Sequence, residues 1–227
     1  MKIGGIQKCS FIDYPGKISA IIFTSGCNFH CPYCHNPELV TETATLISEP
    51  EIFAFLKRRN HVLDAVTITG GEPTIHNDLI SFIQKIKLLG FRVKLDTNGT
   101  NPKVVEQLQK ENLVDYVAMD IKAPLAFYAQ TVARPVDVTA IRKTMGLLMR
   151  GKTPYEFRTT VIKSLLSFDD IREIGREITG AKTHYLQKFV STKTLNPSFL
   201  RKTTYNDSEF EEMRTIMNTF VDTCFVR

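Results

Sequence analysis

Three of the five cysteines in this 227-residue sequence fall within eight positions, as Cys27, Cys31 and Cys34. On a short loop this C-x3-C-x2-C spacing lets three thiolates converge, and thiolates are the ligands that zinc and iron–sulfur clusters prefer. A 4Fe–4S cluster ordinarily takes four cysteines, so three would leave one iron free to bind a substrate. The segment therefore predicts a metal centre that could take part in a reaction.

Two other interpretations of the segment stay open. A structural zinc site could be completed by His30 or His35, which lie within and just after the loop. A disulfide is less favoured, because three cysteines are an odd number and no signal peptide precedes them. The remaining cysteines, Cys9 and Cys224, lie near the two ends and show no ligand spacing.

Further polar residues follow apolar runs that are typical of strands. In Gly70-Gly71-Glu72-Pro73 the glycines allow a ligand to approach the backbone and the carboxylate can bind an ammonium group, although an ordinary strand-to-helix turn is the alternative. Asp96 and Asp120 each follow such a run, where helix caps and turns are also common roles. Arg158 lies inside a strand-forming run, so we expect a charged partner unless its side chain faces outward.

The elements that must position these residues alternate between strand and helix. Residues 6–16 end in the turn signal Asp-Tyr-Pro-Gly and predict a hairpin or an edge strand. Apolar and β-branched runs predict strands at 18–24, 65–69, 91–95, 116–119, 155–161, 183–189 and 224–227. Capping signals and helical periodicity predict helices at 48–60, 77–90, 102–111, 138–150, 168–179 and 208–218. Residues 123–137 are predicted to be a loop that could move.

Six strand–helix units in strict alternation predict an α/β fold with a parallel sheet and right-handed crossovers. Six units are too few to close an eight-stranded barrel, so we expect an open (β/α)6 partial TIM barrel. A single domain over residues 1–227 is predicted, with a C-terminal extension from about residue 192. In such folds the chemistry lies at the carboxyl ends of the strands, where every polar segment described above is expected.

Taken together, these segments resemble the radical S-adenosylmethionine (SAM) enzymes. The cysteine loop follows a hydrophobic strand, as in that superfamily, and Cys34-His35-Asn36-Pro37 is similar to the activating enzymes of glycyl-radical enzymes. The segments GGEPT, LDTNGT, MDIKAP and YEFRTT are similar to proteins described as anaerobic ribonucleoside-triphosphate reductase activating proteins. The ferredoxin-like insert of some activating enzymes is absent, so the resemblance implies a single cluster.

The resemblance implies a 4Fe–4S cluster on Cys27, Cys31 and Cys34 that reductively cleaves SAM, after which the 5′-deoxyadenosyl radical takes a Cα hydrogen from a glycine of a partner enzyme. The implied SAM contacts are Tyr33, Asn36, Gly70, Gly71, Glu72, Asp96, Asn98, Asp120, Lys122, Arg158 and Gln187. Lys122 would meet the cofactor carboxylate, and Asp96, Thr97 and Asp120 could hold a monovalent cation.

The implied partners are the large subunit of anaerobic ribonucleotide reductase and a flavodoxin- or ferredoxin-type electron donor. Two other functions remain open from the sequence. One is a radical SAM reaction on a small molecule, such as a step of 7-deazaguanine biosynthesis. The other is a zinc-stabilised binding module.

Composition sets further expectations. With 43% hydrophobic and 23% charged residues, the chain suits one ordinary globular domain. The formal charge of +5 is mild, and Lys57-Arg58-Arg59 is predicted to be a solvated helix end, so we expect no nucleic-acid partner. No apolar run approaches the roughly 20 residues that span a bilayer, and the first residues lack the apolar region of a signal peptide. We therefore expect a cytoplasmic protein without a membrane partner.

Overall fold

One eight-stranded sheet organises the computed structural model, which describes residues 1–227. Each strand is hydrogen-bonded to the next strand in the chain. The strands are β1 (Ile3–Tyr14), β2 (Lys17–Thr24), β3 (Ala65–Gly70), β4 (Arg92–Thr97), β5 (Tyr116–Asp120), β6 (Tyr155–Val161), β7 (Thr183–Lys188) and β8 (Thr223–Val226). Only the hairpin of β1 with β2 is antiparallel, and β1 does not pair with β8. The predicted open partial barrel with a parallel sheet is confirmed.

Helices connect the parallel strands. They are α1 (Pro37–Val40), α2 (Glu49–Arg59), α3 (Leu79–Leu88), α4 (Pro102–Lys110), α5 (Tyr128–Val132), α6 (Val138–Arg150), α7 (Phe168–Glu177) and α8 (Asp207–Met217). The start of α2 shows why the sequence signals worked: Ser48 and Glu51 form a reciprocal capping box. None of the helices has the length and apolar character needed to cross a membrane.

Aromatic side chains and the Glu156–Arg227 ion pair fill part of the barrel interior beneath the strand ends. Tyr14 and Tyr116 lie with ring centroids 5.8 Å apart. Glu156 is only 1% exposed, accepts a hydrogen bond from the Tyr116 hydroxyl and pairs with Arg227 at 2.8 Å. Buried charges need such partners. The fold therefore leaves space for a ligand at the carboxyl ends of the strands rather than below them.

Two sequence-based predictions need correction. Strand β4 runs from Arg92 to Thr97 rather than over 91–95, because Asp96 and Thr97 still take part in the ladder with β5. The polar residues thus end the strand instead of following it.

Residues 123–137 are a loop only in part. They contain a 3-10 turn, Leu125–Phe127, and helix α5, in which Tyr128 and Val132 are fully buried. These two side chains are four positions apart and so lie on one helix face, but a single turn is too short to give a periodic signal. The packed helix removes the basis for a mobile segment there. The segment after residue 192 supplies α8 and β8, so it continues the sheet.

Candidate active site

A cavity of roughly 480 Å³ lies at the carboxyl ends of the parallel strands, and every predicted site residue lines it. The predicted residues in its wall are Cys27, Cys31, Tyr33, Cys34, Asn36, Gly70, Gly71, Glu72, Asp96, Thr97, Asn98, Asp120, Lys122, Arg158 and Gln187. His35, named above only as a possible zinc ligand, also lines the cavity, and sequence reasoning missed the other wall residues: Asp13, Phe29, Val40, Thr69 and Thr160. Asp13 had been assigned only to a turn. The cavity size is typical of a small-molecule site.

The three cysteines of the loop after β2 supply soft donors to one wall of this cavity. Burial raises the pKa of Cys27 to about 12 and that of Cys31 to about 11, and it also raises the pKa of Cys34. Thiols in this state are protonated at neutral pH, so a metal centre must displace their protons on binding. Cys9 and Cys224 lie outside the cavity, so the donor set fits a cluster with three protein ligands.

The zinc alternative finds less support in the geometry. A single zinc ion needs donors about 2.0 to 2.3 Å from one point. No three His, Cys, Asp or Glu side chains converge in that way. His30 is held by the guanidinium of Arg134, and the Nε2 atom of His35 lies 2.7 Å from the carbonyl oxygen of Val190.

Asn28 ties the cysteine loop to the end of β4. Its Nδ2 donates to Thr100 Oγ1 and its Oδ1 accepts from Asn98 Nδ2, both at 2.8 Å. The side-chain oxygen Oδ1 of Asn98 in turn accepts hydrogen bonds from the backbone N–H and the hydroxyl of Thr100. The Asn98 side chain, predicted to contact SAM, is therefore occupied in holding the loop.

Gly70, the last residue of β3, and Gly71 allow the backbone of this turn to touch the cysteine loop. Gly70 has φ of +108°, a conformation that favours glycine. At Gly71 a Cβ atom would lie 1.9 Å from the carbonyl oxygen of Gly26, which accepts a hydrogen bond from the Glu72 N–H. Gly26 directly precedes Cys27, so the close contact fixes the start of the cysteine loop.

Gly71→Ala is expected to lower the free energy of unfolding by about 1–3 kcal/mol, because the added methyl group must push two backbone segments apart. The displaced loop should also retain less iron after reconstitution. Urea unfolding and iron analysis measure both effects. Gly5→Ala is the matched control, since its Cβ would meet only the Phe23 side chain at 3.6 Å. Equal losses in the two variants would contradict the steric argument.

Glu72 is a buried junction between the ends of β3 and β4. Its Oε1 accepts from the Thr74 N–H, the Thr74 hydroxyl and the Thr97 hydroxyl, and its Oε2 accepts from the Asn98 N–H at 2.6 Å. Burial raises the pKa of Glu72, and the four hydrogen bonds oppose that rise without cancelling it. The carboxylate lines the cavity but is already strongly engaged by the protein.

A chain of alternating charges crosses the barrel along the cavity wall, and only its innermost member, Lys94, lies outside the lining. Lys94 Nζ contacts Asp96 Oδ1 at 2.7 Å, and Asp96 Oδ2 accepts from Arg158 Nη1 at 3.0 Å. Arg158 Nε donates to Asp120 Oδ1 at 2.7 Å, and Lys122 Nζ donates to Asp120 Oδ2 at 2.9 Å. The Arg158 side chain thus faces charged partners inside the barrel, as expected from the sequence, and does not face outward. Lys94, only 2% exposed, was missed, although it lies two residues before Asp96 and hence on the same strand face.

The pKa values in this chain follow from burial and charge. Burial would raise the pKa of Asp120, but Arg158 and Lys122 outweigh it, so the pKa lies well below its usual value. Asp96 shows the same balance, with Arg158 and Lys94 lowering its pKa. Burial would lower the pKa of Lys122, but interactions with its neighbours, chiefly the negative charge of Asp120, outweigh burial, so the pKa of Lys122 is raised. Asp96, Asp120 and Lys122 are therefore charged at neutral pH.

The suggested monovalent cation site gains no geometric support. Both oxygens of Asp96 and both oxygens of Asp120 already face protein cations. The Thr97 hydroxyl donates to Glu72 and accepts from the Gly99 N–H. Protein donors already bind these oxygens, and the cation site stays a prediction.

Two other segments hold the cysteine loop, and neither was predicted from the sequence. From α5, the Val132 carbonyl accepts from the His30 N–H at 2.9 Å. The second segment, which we call the strap, is the chain after β7 over residues 189–201. Its Leu195 and Asn196 N–H groups donate to the carbonyls of Cys34 and Pro32 at 3.0 and 2.8 Å.

Tyr33 lies between the strap and the cavity. Its ring packs near Phe199 of the strap, with centroids 6.3 Å apart. Its hydroxyl is buried beside the sulfur of Cys31, and no oxygen or nitrogen atom accepts from it. The Tyr33 hydroxyl is thus placed to donate a hydrogen bond to a thiolate of the cysteine wall.

Comparison with known proteins identifies the family. The model of the radical SAM superfamily matches residues 21–174. The chain belongs to the radical SAM superfamily. A protein of Methanocaldococcus jannaschii, provisionally named a glycyl-radical enzyme activating enzyme, is 34% identical over 230 residues, covering 99% of this chain and 95% of the relative. The pyruvate formate-lyase-activating enzyme of Listeria monocytogenes is 30% identical over 132 residues, covering 53% of each protein.

The fold agrees with this assignment. The crystal structure of Streptococcus suis SuiB bound to S-adenosylmethionine matches with a TM-score of 0.69 at 13% identity, over 88% of this chain and 48% of SuiB. That likeness shows the fold alone. Within the superfamily, this radical SAM chain belongs with the glycyl-radical enzyme activating enzymes, and membership implies an enzyme with a 4Fe–4S cluster and SAM.

Proposed function

We propose that this radical SAM protein uses its cavity to cleave SAM and to generate a glycyl radical on anaerobic ribonucleoside-triphosphate reductase. The observation that carries the proposal is the joint placement of the three cysteines and the cationic residues Lys122 and Arg158 around one cavity. Soft donors for a cluster thus face groups that can bind an amino-acid carboxylate. A bound cluster and SAM would supply an electron and a 5′-deoxyadenosyl radical.

The protein's own residues position and shield this chemistry. Lys122 lies at the cavity end of the charge chain, where its ammonium group can turn toward a ligand carboxylate. The backbone at Gly70 and Gly71 can accept from an ammonium group, because no side chain blocks the approach. Tyr33 and Phe29 provide apolar surface that excludes water from the cysteine wall. Hydrogen abstraction needs no general acid or base from the protein.

The open sheet and the position of the cavity support a protein substrate. The cavity lies at the strand ends, while the barrel beneath it is partly filled by Tyr14, Tyr116 and the Glu156–Arg227 pair. A backbone glycine must therefore arrive on a loop of the partner from the side of the strand ends. The choice of ribonucleotide reductase rests on the similarity of the four strand-end segments. We propose a flavodoxin- or ferredoxin-type donor and, because reduced thiols and a cluster are required, a cytoplasmic setting.

Anaerobic reconstitution tests the proposal. The protein is loaded with iron and sulfide, reduced and mixed with SAM, and 5′-deoxyadenosine is quantified. Glycyl-radical formation is then followed by electron paramagnetic resonance with anaerobic ribonucleotide reductase and, in parallel, with pyruvate formate-lyase. We expect cleavage of SAM and a radical signal on the reductase only. A signal on the lyase alone would overturn the choice of partner, and a loaded protein that never cleaves SAM would overturn the proposed function.

A further inference from the structure

Lys94 is a buried cation with no assigned role in the proposed reaction. It lies in the middle of β4 with 2% of its surface exposed, and it does not line the cavity. A buried ammonium group is costly unless it is paired, and its partner here is Asp96. A methionine or leucine would fill such a position without that cost. The charge itself therefore calls for an explanation.

The balance of charges among Lys94, Asp96, Arg158, Asp120 and Lys122 explains why a cation is needed at position 94. Three cations, Lys94, Arg158 and Lys122, alternate with two carboxylates, Asp96 and Asp120. These five residues together therefore carry one surplus positive charge. The inner end is sealed, whereas the Lys122 side chain is 17% exposed at the cavity wall. Arg158 also lines the cavity but binds two carboxylates, whereas Lys122 binds only one and has the more exposed side chain, so the surplus charge is most available to a ligand at Lys122.

The hydrogen bonds show how Lys94 makes that charge available. Lys94 pairs with one oxygen of Asp96, so Asp96 does not depend on Arg158 as its sole cationic partner. Arg158 is therefore also able to bind Asp120, through its Nε atom. Asp120 then keeps a cationic partner when Lys122 turns toward a ligand. Without the charge of Lys94, two carboxylates would compete for Arg158, and Lys122 would be held by Asp120.

We propose that Lys94 is a positioning residue that frees Lys122 to bind the carboxylate of an amino-acid ligand, which under the proposed function is the methionine end of SAM. The inference rests on that function for the identity of the ligand. It also explains why the oxygens of Asp96 and Asp120 need no free monovalent cation. The ammonium group of Lys94 supplies the positive charge from inside the barrel.

Lys94→Gln tests the inference, because glutamine can still donate a hydrogen bond to Asp96 but carries no charge. Equilibrium binding of SAM and of decarboxylated SAM is measured on the anaerobically reconstituted protein. We expect the affinity for SAM to fall about tenfold or more, the scale of one unit charge acting across roughly 10 Å at an effective dielectric constant of about 20. Affinity for decarboxylated SAM should not change. Lys87→Gln, which removes a lysine paired with Asp115 outside the cavity, is the control.

The outcomes separate this inference from the proposed function. Wild-type protein that binds neither compound would count against the function itself. If wild type prefers SAM but Lys94→Gln keeps the preference, or loses both ligands equally, the role of Lys94 is refuted. A second measurement needs no variant: exchanging potassium for tetramethylammonium at constant ionic strength should leave the SAM affinity of wild type unchanged. A tenfold fall would show that a free cation, and not Lys94, supplies the charge.

Discussion

Cys31→Ala is expected to abolish SAM cleavage and to remove most of the iron from the reconstituted protein. Losing even an outer partner of a metal ligand typically costs tenfold to hundredfold in affinity or activity, and losing a ligand from a set of only three should exceed that range. Cys31 is the most buried of the three, so no water-exposed donor can easily replace it. Quantified 5′-deoxyadenosine and iron content measure the effect.

Cys9→Ala is the matched control for this prediction. Cys9 is an exposed cysteine on β1, outside the cavity. The control variant should retain the iron content and turnover of wild type. Full turnover in Cys31→Ala, or an equal loss in Cys9→Ala, would contradict the assignment of the cluster to the loop after β2.

Arg158→Met is expected to lower the free energy of unfolding by about 3–5 kcal/mol at neutral pH, because it leaves the buried carboxylates of Asp96 and Asp120 short of a cationic partner. Lysine should not rescue the variant, since only a guanidinium can donate to both carboxylates in a fixed geometry. Urea unfolding measures the loss. Arg142→Met is the control: Arg142 pairs with Glu177 at the surface with its side chain 60% exposed, so we expect a loss below about 1 kcal/mol.

The pH dependence of this effect has a definite sign. In wild type the pKa values of Asp96 and Asp120 are lowered, so their stabilisation is fully present above the unfolded value of about 3.9. It is lost as pH falls through the lower folded values. Without Arg158 burial dominates, and the carboxyl groups are stable when protonated. The difference between wild type and variant should therefore shrink between pH 7 and about pH 3.5, and a difference that grows would refute the electrostatic account.

The sequence predicted the sheet order and the position of the site because both follow from local patterns. Alternating strands and helices leave few topologies, and in a parallel sheet each polar segment such as Gly70 to Pro73 or Asp96 to Asn98 must end at the same edge. The position of these segments at strand ends, together with the family resemblance, was thus enough to predict residues of the cavity wall. The hydrogen-bond and ion-pair partners of these residues could not be predicted in the same way.

Lys94 and the strap show what local patterns leave out. Lys94 lies among apolar residues, and a six-residue run does not show whether the strand face that it shares with Asp96 points into the barrel. The strap binds the cysteine loop through backbone N–H groups, which no side-chain pattern encodes. Helix α5 was missed because its buried face spans a single turn.

The strap also has a consequence for the order in which this protein matures. His35 and Val190, which hydrogen-bond between the end of the cysteine loop and the strap, are 155 positions apart in the chain. Contacts of such high sequence separation form late, because a long loop of chain must close before they contribute. The loop leaves the ribosome early but cannot be braced until nearly the whole chain has been synthesised. Insertion of the cluster into its finished site is therefore a post-translational event, and a truncated chain lacking the strap would present its three cysteines without the wall that shields them.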